Sequence, residues 1–153
     1  MKPLTLFASK IGSQAVLNPE FIVEKAHRFY LLNPKLRKTA RADFYYAGLY
    51  LGKVKKGIFF PGFNFLNIIA DTAANKIVLG RKAAWLFICG RDIFSSGILK
   101  MQGSKRKGDF TLVMNEFSEC LGFGMITGGF ENVQKNEVVR NILDVGDFLR
   151  REG

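Results

Sequence analysis

Lys105, Arg106 and Lys107 stand in unbroken succession between Gly103 and Gly108. Three cations in a turn hinged by glycine can press against phosphates, each contact adding a salt-sensitive attraction. The same turn reads equally as a solvated loop. Arg150 and Arg151 form a second cationic pair. On a strand, neighbours point to opposite faces, so at most one of the two would lie on a given polyanion surface. Lys53, Lys55 and Lys56 form a third group, close to Phe44, Tyr45, Tyr46 and Tyr50. Rings among cations are what unpaired bases stack on, although one alternating row of these rings could instead fill a core.

Residues that carry catalysis or hold metals are scarce. His27 is the one histidine, inside an amphipathic segment, and Cys89 and Cys120 show no CxxC spacing. No His/Cys zinc cluster can be assembled, and a Ser-His-Asp triad would depend on His27 alone. Both cysteines read as reduced core thiols. Asp144 and Asp147 are three apart without forming a defensible acid–base pair, and Asp92 reads as the cap of a short helix. Gly122-Phe123-Gly124 begins like a dinucleotide fingerprint, but the sixth position is Thr127 and no βαβ context follows; a close-packed strand is the simpler reading. Gly80-Arg81-Lys82 is a turn with two cations and lacks the end of a P-loop. No enzyme activity, metal or cofactor is expected.

The chain that must position these cations has 153 residues, 48% of them hydrophobic, enough for a packed core. It carries 23 Lys and Arg against 13 Asp and Glu, a formal charge of +10, and an isoelectric point near 9.8. Such an excess draws polyanions, nucleic acid first and an anionic membrane surface second. Residues 1 to 75 hold 11 basic and 4 acidic side chains (+7), and 76 to 153 hold 12 and 9 (+3). The N-terminus lacks a long apolar leader, and no run approaches the roughly 18 apolar residues of a membrane span. A soluble intracellular protein without membrane contact is expected.

Asn18-Pro19-Glu20 reads as a helix start, with Ile22, Ala26, Phe29 and Tyr30 at helical spacing and Asn33-Pro34 as its stop. A strand is expected over 43–54, turning at Lys55-Lys56-Gly57, then a short helix over 63–70 and a polar hinge over 71–76. Beyond the hinge, apolar runs at 77–79, 85–89, 110–114, 121–126 and 138–143 suggest strands of a small barrel, with a brief helix between Asp92 and Ile98. The reading is an α+β chain: a small N-terminal α/β domain over 1–75 and a β pseudo-barrel over 76–153.

Four segments carry a resemblance in register: Lys76 to Leu79, Leu86 to Ile98, Leu121 to Met125, and Asp144 to Glu152. They resemble the PUA domain of nuclear-import-protein-seven homologues, large-subunit ribosome biogenesis factors of eukaryotes and archaea. The stretch from Leu51 to Ala74 is similar to the end of that family's N-terminal domain. The resemblance spans roughly 18 to 153. Only about seventeen residues precede the first expected helix, where the family usually carries additional strands, so a shortened N-terminal domain is implied. The resemblance further implies a PUA pseudo-barrel that contacts RNA through its short helix, its glycine-bearing strand and its C-terminal strand. Pre-ribosomal, single-stranded RNA and other assembly or RNA-processing proteins are the implied partners. The candidate RNA contacts are Arg150, Arg151, Lys105, Arg106, Lys107, Arg91, Lys53, Lys55 and Lys56, with the first five expected along one edge. Residence would be cytoplasmic in an archaeon and nucleolar or nuclear in a eukaryote. The competing functions are an RNA-modification enzyme or its RNA-binding subunit, and a protein-interaction adaptor. Residues 77 to 153 are expected to fold alone.

Overall fold

The computed structural model of the chain describes residues 1–15, 17–39, 48–131 and 136–151. Lys2–Lys10 forms helix α1, turning Leu4, Phe7 and Ala8 inward. A single 3-10 turn over Pro19–Phe21 follows, and the Asn18 side chain accepts the Glu20 N–H at 3.0 Å. The helix anticipated from Asn18 does not form. Ile22–Lys25 (β1) and Arg28–Leu31 (β2) pair as an antiparallel hairpin instead. Ala26 and His27, with φ of 49° and 60°, make its two-residue turn, the geometry whose twist matches flanking strands. Ile22, Phe29 and Tyr30 satisfy a helical period, but in the hairpin Phe29 faces the core and its neighbour Tyr30 the other side. β-Branched and aromatic side chains on a half-buried surface settle the choice for the sheet.

Asn33-Pro34 likewise starts a helix rather than ending one. Pro34–Thr39 is α2, and Asn33 Oδ1 accepts the Leu36 N–H at 2.8 Å, a capping role in which proline at the first position loses nothing. Residues 40–47, including Phe44, Tyr45 and Tyr46 of the anticipated strand, lie outside the described residues. Its second part is present as Leu49–Lys55 (β3), which turns into Ile58–Pro61 (β4). The first sheet runs β1-β2-β3-β4. Phe63–Ala70 is the expected helix, α3.

The second half holds Lys76–Leu79 (β5), Arg81–Ile88 (α4), Ile93–Phe94 (β6), a 3-10 turn over Ser95–Gly97, Ile98–Gln102 (β7), Phe110–Met114 (β8), Cys120–Ile126 (β9), Glu137–Asp144 (β10) and Asp147–Arg151 (α5). Its sheet runs β6-β10-β9-β8-β5-β7, with β5 parallel to β8, and curls as an incomplete barrel. Four anticipated strands are there. The fifth, 85–89, is the C-terminal part of α4: Ala84 and Phe87, three apart, are buried while Trp85 is 67% exposed. The helix also carries Cys89 to the surface, so of the two only Cys120, half-buried, packs against the core, its thiol pKa pushed up to about 11 by burial. The short helix anticipated after Asp92 is replaced by β6 and the 3-10 turn. Arg150 and Arg151 lie on a helix and not on a strand. At Gly122 and Gly124, β10 lies too close to β9 for a side chain. A Cβ on Gly122 would collide with the Leu143 carbonyl, and one on Gly124 with the Val139 side chain.

One apolar cluster joins both sheets. Leu4, Phe7 and Ile11 meet Phe29, Leu51, Phe65, Leu66 and Ile69 on one side and Leu112, Met114 and Phe123 on the other. The Phe7 ring lies 5.8 Å from Phe59, 6.0 Å from Phe65, 5.7 Å from Phe110 and 5.1 Å from Phe123, centroid to centroid. The segment anticipated as a polar hinge contains a buried node at Asn75. Its N–H donates to the Ile11 carbonyl at 2.8 Å, its carbonyl accepts the Leu112 N–H at 2.9 Å, and its amide side chain donates to the Phe110 carbonyl at 3.0 Å and accepts the Ser104 N–H at 2.9 Å. A second cluster, including Ile77, Leu79, Phe87, Val113, Ile126 and Val139, lies wholly within the second half.

Phe7→Ala removes a ring shared by both sheets and should cost about 3–5 kcal/mol. Urea unfolding followed by far-UV circular dichroism and by the fluorescence of Trp85 should show one common midpoint, shifted down together; separate midpoints would show that the halves unfold independently.

Candidate nucleic-acid interface

Gly80 ends β5 and starts α4, and its N–H donates to the Gly97 carbonyl at 3.0 Å. That bond holds the 3-10 turn against the first turn of the helix, where Gly97 lies so close to Ala83 that a side chain there would strike it. A cleft of about 600 Å³ opens between the two. Arg81 and Lys82 stand on its rim, and Leu86, Phe94 and Leu99 supply an apolar wall. These three are exposed, which is costly for large apolar groups unless something covers them. The first amides of a helix lack intrahelical acceptors, and the helix dipole is positive there. A flat ring on the apolar wall, with its anionic group at Arg81, Lys82 and the helix start, is what this arrangement can hold.

The opposite end of α4 is fixed by a polar network. Asn141 donates its backbone N–H to Asp92 Oδ1 at 2.8 Å, and its side-chain Nδ2 to the Phe87 carbonyl at 2.9 Å and to Asp144 Oδ2 at 3.0 Å. Asp92 therefore ties β10 to the end of α4 and caps no helix. Arg150 completes the network, donating Nη2 to Asp144 Oδ2 at 2.8 Å and Nη1 to the Ile88 carbonyl at 2.6 Å. The hydrogen bond to Asp144 raises the Arg150 pKa above its ordinary value. Asp144 is 2% exposed, so Arg150 is the charge that compensates a buried carboxylate. Arg151 extends from the same helix, exposed, with Nε 2.8 Å from Asp147 Oδ2.

The other anticipated cations are distributed over the molecule. Lys105, Arg106 and Lys107 occupy the exposed β7–β8 loop. Its base is clamped: the Ser104 hydroxyl donates to Asp109 Oδ2 at 2.6 Å, and Arg106 Nη2 donates to Asp109 Oδ1 at 3.2 Å. Those bonds, the hydroxyl's first, hold the Asp109 carboxyl below its usual range. Arg106 is thus partly neutralised, while Lys105 and Lys107 project beside it. Arg91 is exposed just after α4, its N–H donating to the Leu86 carbonyl, and follows Gly90, where a Cβ would lie 3.3 Å from the Arg150 guanidinium. Lys53, Lys55 and Lys56 lie on β3 and its turn, in the other sheet. Sequence reasoning missed Arg81, Lys82, Phe94 and Leu99 as one group. The signal was partial: Gly80-Arg81-Lys82 was legible as a cationic turn, but the apolar wall is assembled only by the helix that replaces the anticipated strand.

The family model for the UPF0113 PUA domain matches residues 75–153. The chain belongs to that family. A UPF0113 protein of Archaeoglobus fulgidus is 26% identical over 112 residues, covering 71% of this chain and 63% of that protein, so the chain spans less than two thirds of that relative. Among solved structures, a conserved PUA domain protein from Thermoplasma acidophilum superposes with a TM-score of 0.64 at 19% identity, covering 97% of this chain and 91% of that one. A hypothetical protein from Pyrococcus horikoshii gives 0.65 at 16% identity, covering 99% and 92%. At these identities the likeness is one of fold, and it extends through both sheets. The anticipated PUA-type fold is therefore present, within an α+β chain.

Arg150 and Arg151 should separate on mutation. Arg150→Ala leaves the Asp144 carboxylate buried without its cation and should lower the thermal midpoint. Arg151→Ala removes an exposed pair worth little and should leave it in place. Equal midpoints for the two variants in a calorimetric scan would show that the Asp144 network contributes nothing to the fold.

Proposed function

We propose that this UPF0113 PUA-domain chain binds single-stranded RNA without catalysing a reaction on it, with the α4 cleft as its principal site. The observation that carries this reading is the union, in one cleft, of an apolar wall (Leu86, Phe94, Leu99) with Arg81, Lys82 and a helix N-terminus, on a chain of net charge +10. A nucleotide offers the matching pair, a flat base and an anionic phosphate. The asymmetry between the apolar wall and the cationic rim would fix the direction in which the strand enters.

The biological role we infer is assembly of the large ribosomal subunit. It rests on the resemblance of the segments 76–79, 86–98, 121–125 and 144–152 to nuclear-import-protein-seven homologues, which is finer than family membership. Pre-ribosomal RNA is then the ligand, and other assembly factors are the protein partners. Among the described residues, no helix is long and apolar enough to cross a membrane.

Binding of a fluorescent oligouridylate should weaken linearly in log Kd against log salt, because phosphate neutralisation dominates the attraction. Arg81→Gln with Lys82→Gln should reduce the magnitude of that slope by about 1.4, at about 0.7 per single-strand phosphate contact, and should weaken binding at low salt. Unchanged affinity and slope would remove the cleft from the account. Incubation with ribosomal RNA followed by nucleoside analysis should yield no new modification; a modified nucleoside would favour the reading as a modification enzyme.

A further inference from the structure

The first sheet has two unlike faces. Strand register places Lys25 opposite Arg28, Arg28 opposite Lys53, and Lys53 opposite Phe60, one row across all four strands. Directly paired residues share a face at about 4.8 Å per strand. Lys55 and Ile58 form the next pair on that face. On β3, a register shift between the Phe29 and Tyr30 pairings brings Tyr50 to this side opposite Tyr30, and the two rings lie 5.8 Å apart. The other face presents Phe29, Leu51, Val54 and Phe59 to the core.

The cationic end of the outer face is open. Arg28, Lys53 and Lys55 are exposed, and beside them Phe60 is 46% and Ile58 62% exposed. Among the described strand residues on this face there is no carboxylate: Glu24, the acid of β1, pairs with Phe29 and belongs to the opposite side. Tyr50 closes the row, its hydroxyl pKa raised by burial against the opposing influence of Arg28.

We propose that this face is a second platform for single-stranded RNA, on which a base stacks on Phe60 while Arg28, Lys53 and Lys55 neutralise the flanking phosphates. The inference rests on the reading of the chain as an RNA binder and adds a site outside the PUA domain. Charge alone would suit an acidic peptide equally. An exposed ring directly paired with a lysine is what favours RNA, because every base has a face to stack and an acidic side chain has none. Arg28, Lys53 and Lys55 are three of the 11 basic side chains in residues 1 to 75.

The test uses the full chain and a fluorescent oligouridylate of about ten nucleotides, within the footprint of one small binding domain. Phe60→Ala and Phe60→Leu should each weaken binding about tenfold, whereas Phe60→Tyr keeps a ring and should bind like the unaltered chain. Phe60→Leu retains apolar bulk, so an unchanged circular dichroism spectrum separates loss of stacking from loss of fold. Arg28→Gln, Lys53→Gln and Lys55→Gln together should lower the magnitude of the salt slope by about two. Wild-type affinity and slope in all these variants, with binding still lost in the Arg81→Gln/Lys82→Gln chain, would overturn the platform and leave the cleft standing. The converse pattern supports the platform and overturns the cleft. Absence of RNA binding by the unaltered chain would overturn both. A polyglutamate peptide that competes as well as RNA, and is weakened equally by Phe60→Leu, would overturn the choice of RNA as the occupant.

Discussion

The first sheet and one of the two apolar faces of the second pack on the same cluster of aromatic side chains. Phe7 on α1 is the common element, in ring contact with Phe59 and Phe65 on one side and with Phe110 and Phe123 on the other. Removing the first helix would therefore expose both sheets. Asn75 supplies the polar counterpart, joining the end of α1 to β8 and to the base of the Lys105–Lys107 loop. A buried amide with its bonds made is tolerated, and one left unmade is costly, so residue 75 restrains the chain where its composition suggests slack.

This shared core is the frame on which the two proposed binding surfaces are built. The α4 cleft depends on Gly80 and Gly97 approaching closely enough to lock the 3-10 turn to the helix. The Asp144–Asn141–Arg150 network holds the other end of the same helix. The inner face of the first sheet packs on the core, and its outer face carries the exposed Arg28, Lys53 and Lys55.

The sequence was most informative where one physical signal dominated. The apolar runs at 77–79, 110–114, 121–126 and 138–143, separated by Gly and charged residues, lie in strands, although a short apolar run does not by itself tell a strand from a buried helix segment. The mostly apolar run 63–70 is a helix, as expected. The segment 22–31 was not legible, because Ile22, Ala26, Phe29 and Tyr30 recur at helical spacing, and pairing with β3, which decides the matter, is remote in sequence. The run Trp85 to Cys89 misled because its apolar residues include Trp85 and Leu86, which the helix turns outward. That error hid the site: the cleft wall is built from the outward side of α4 together with Phe94 and Leu99. The cations at 53–56 were visible as a cluster, but their row with Arg28 and Phe60 exists only in the register. Arg150 shows the opposite failure, a conspicuous surface charge whose partner is a buried carboxylate six residues earlier.

The central claim is that RNA meets this chain at the α4 cleft and on the outer face of the first sheet. Amide chemical shifts of the labelled full chain, recorded as oligouridylate is added, test it most directly. Shifts concentrated at Gly80–Ala83, at Phe94–Leu99 and along Leu49–Phe60 are the result predicted. Saturable binding that moves only the amides of the Lys105–Lys107 loop and of α5, leaving the cleft and the sheet unmoved, would contradict it.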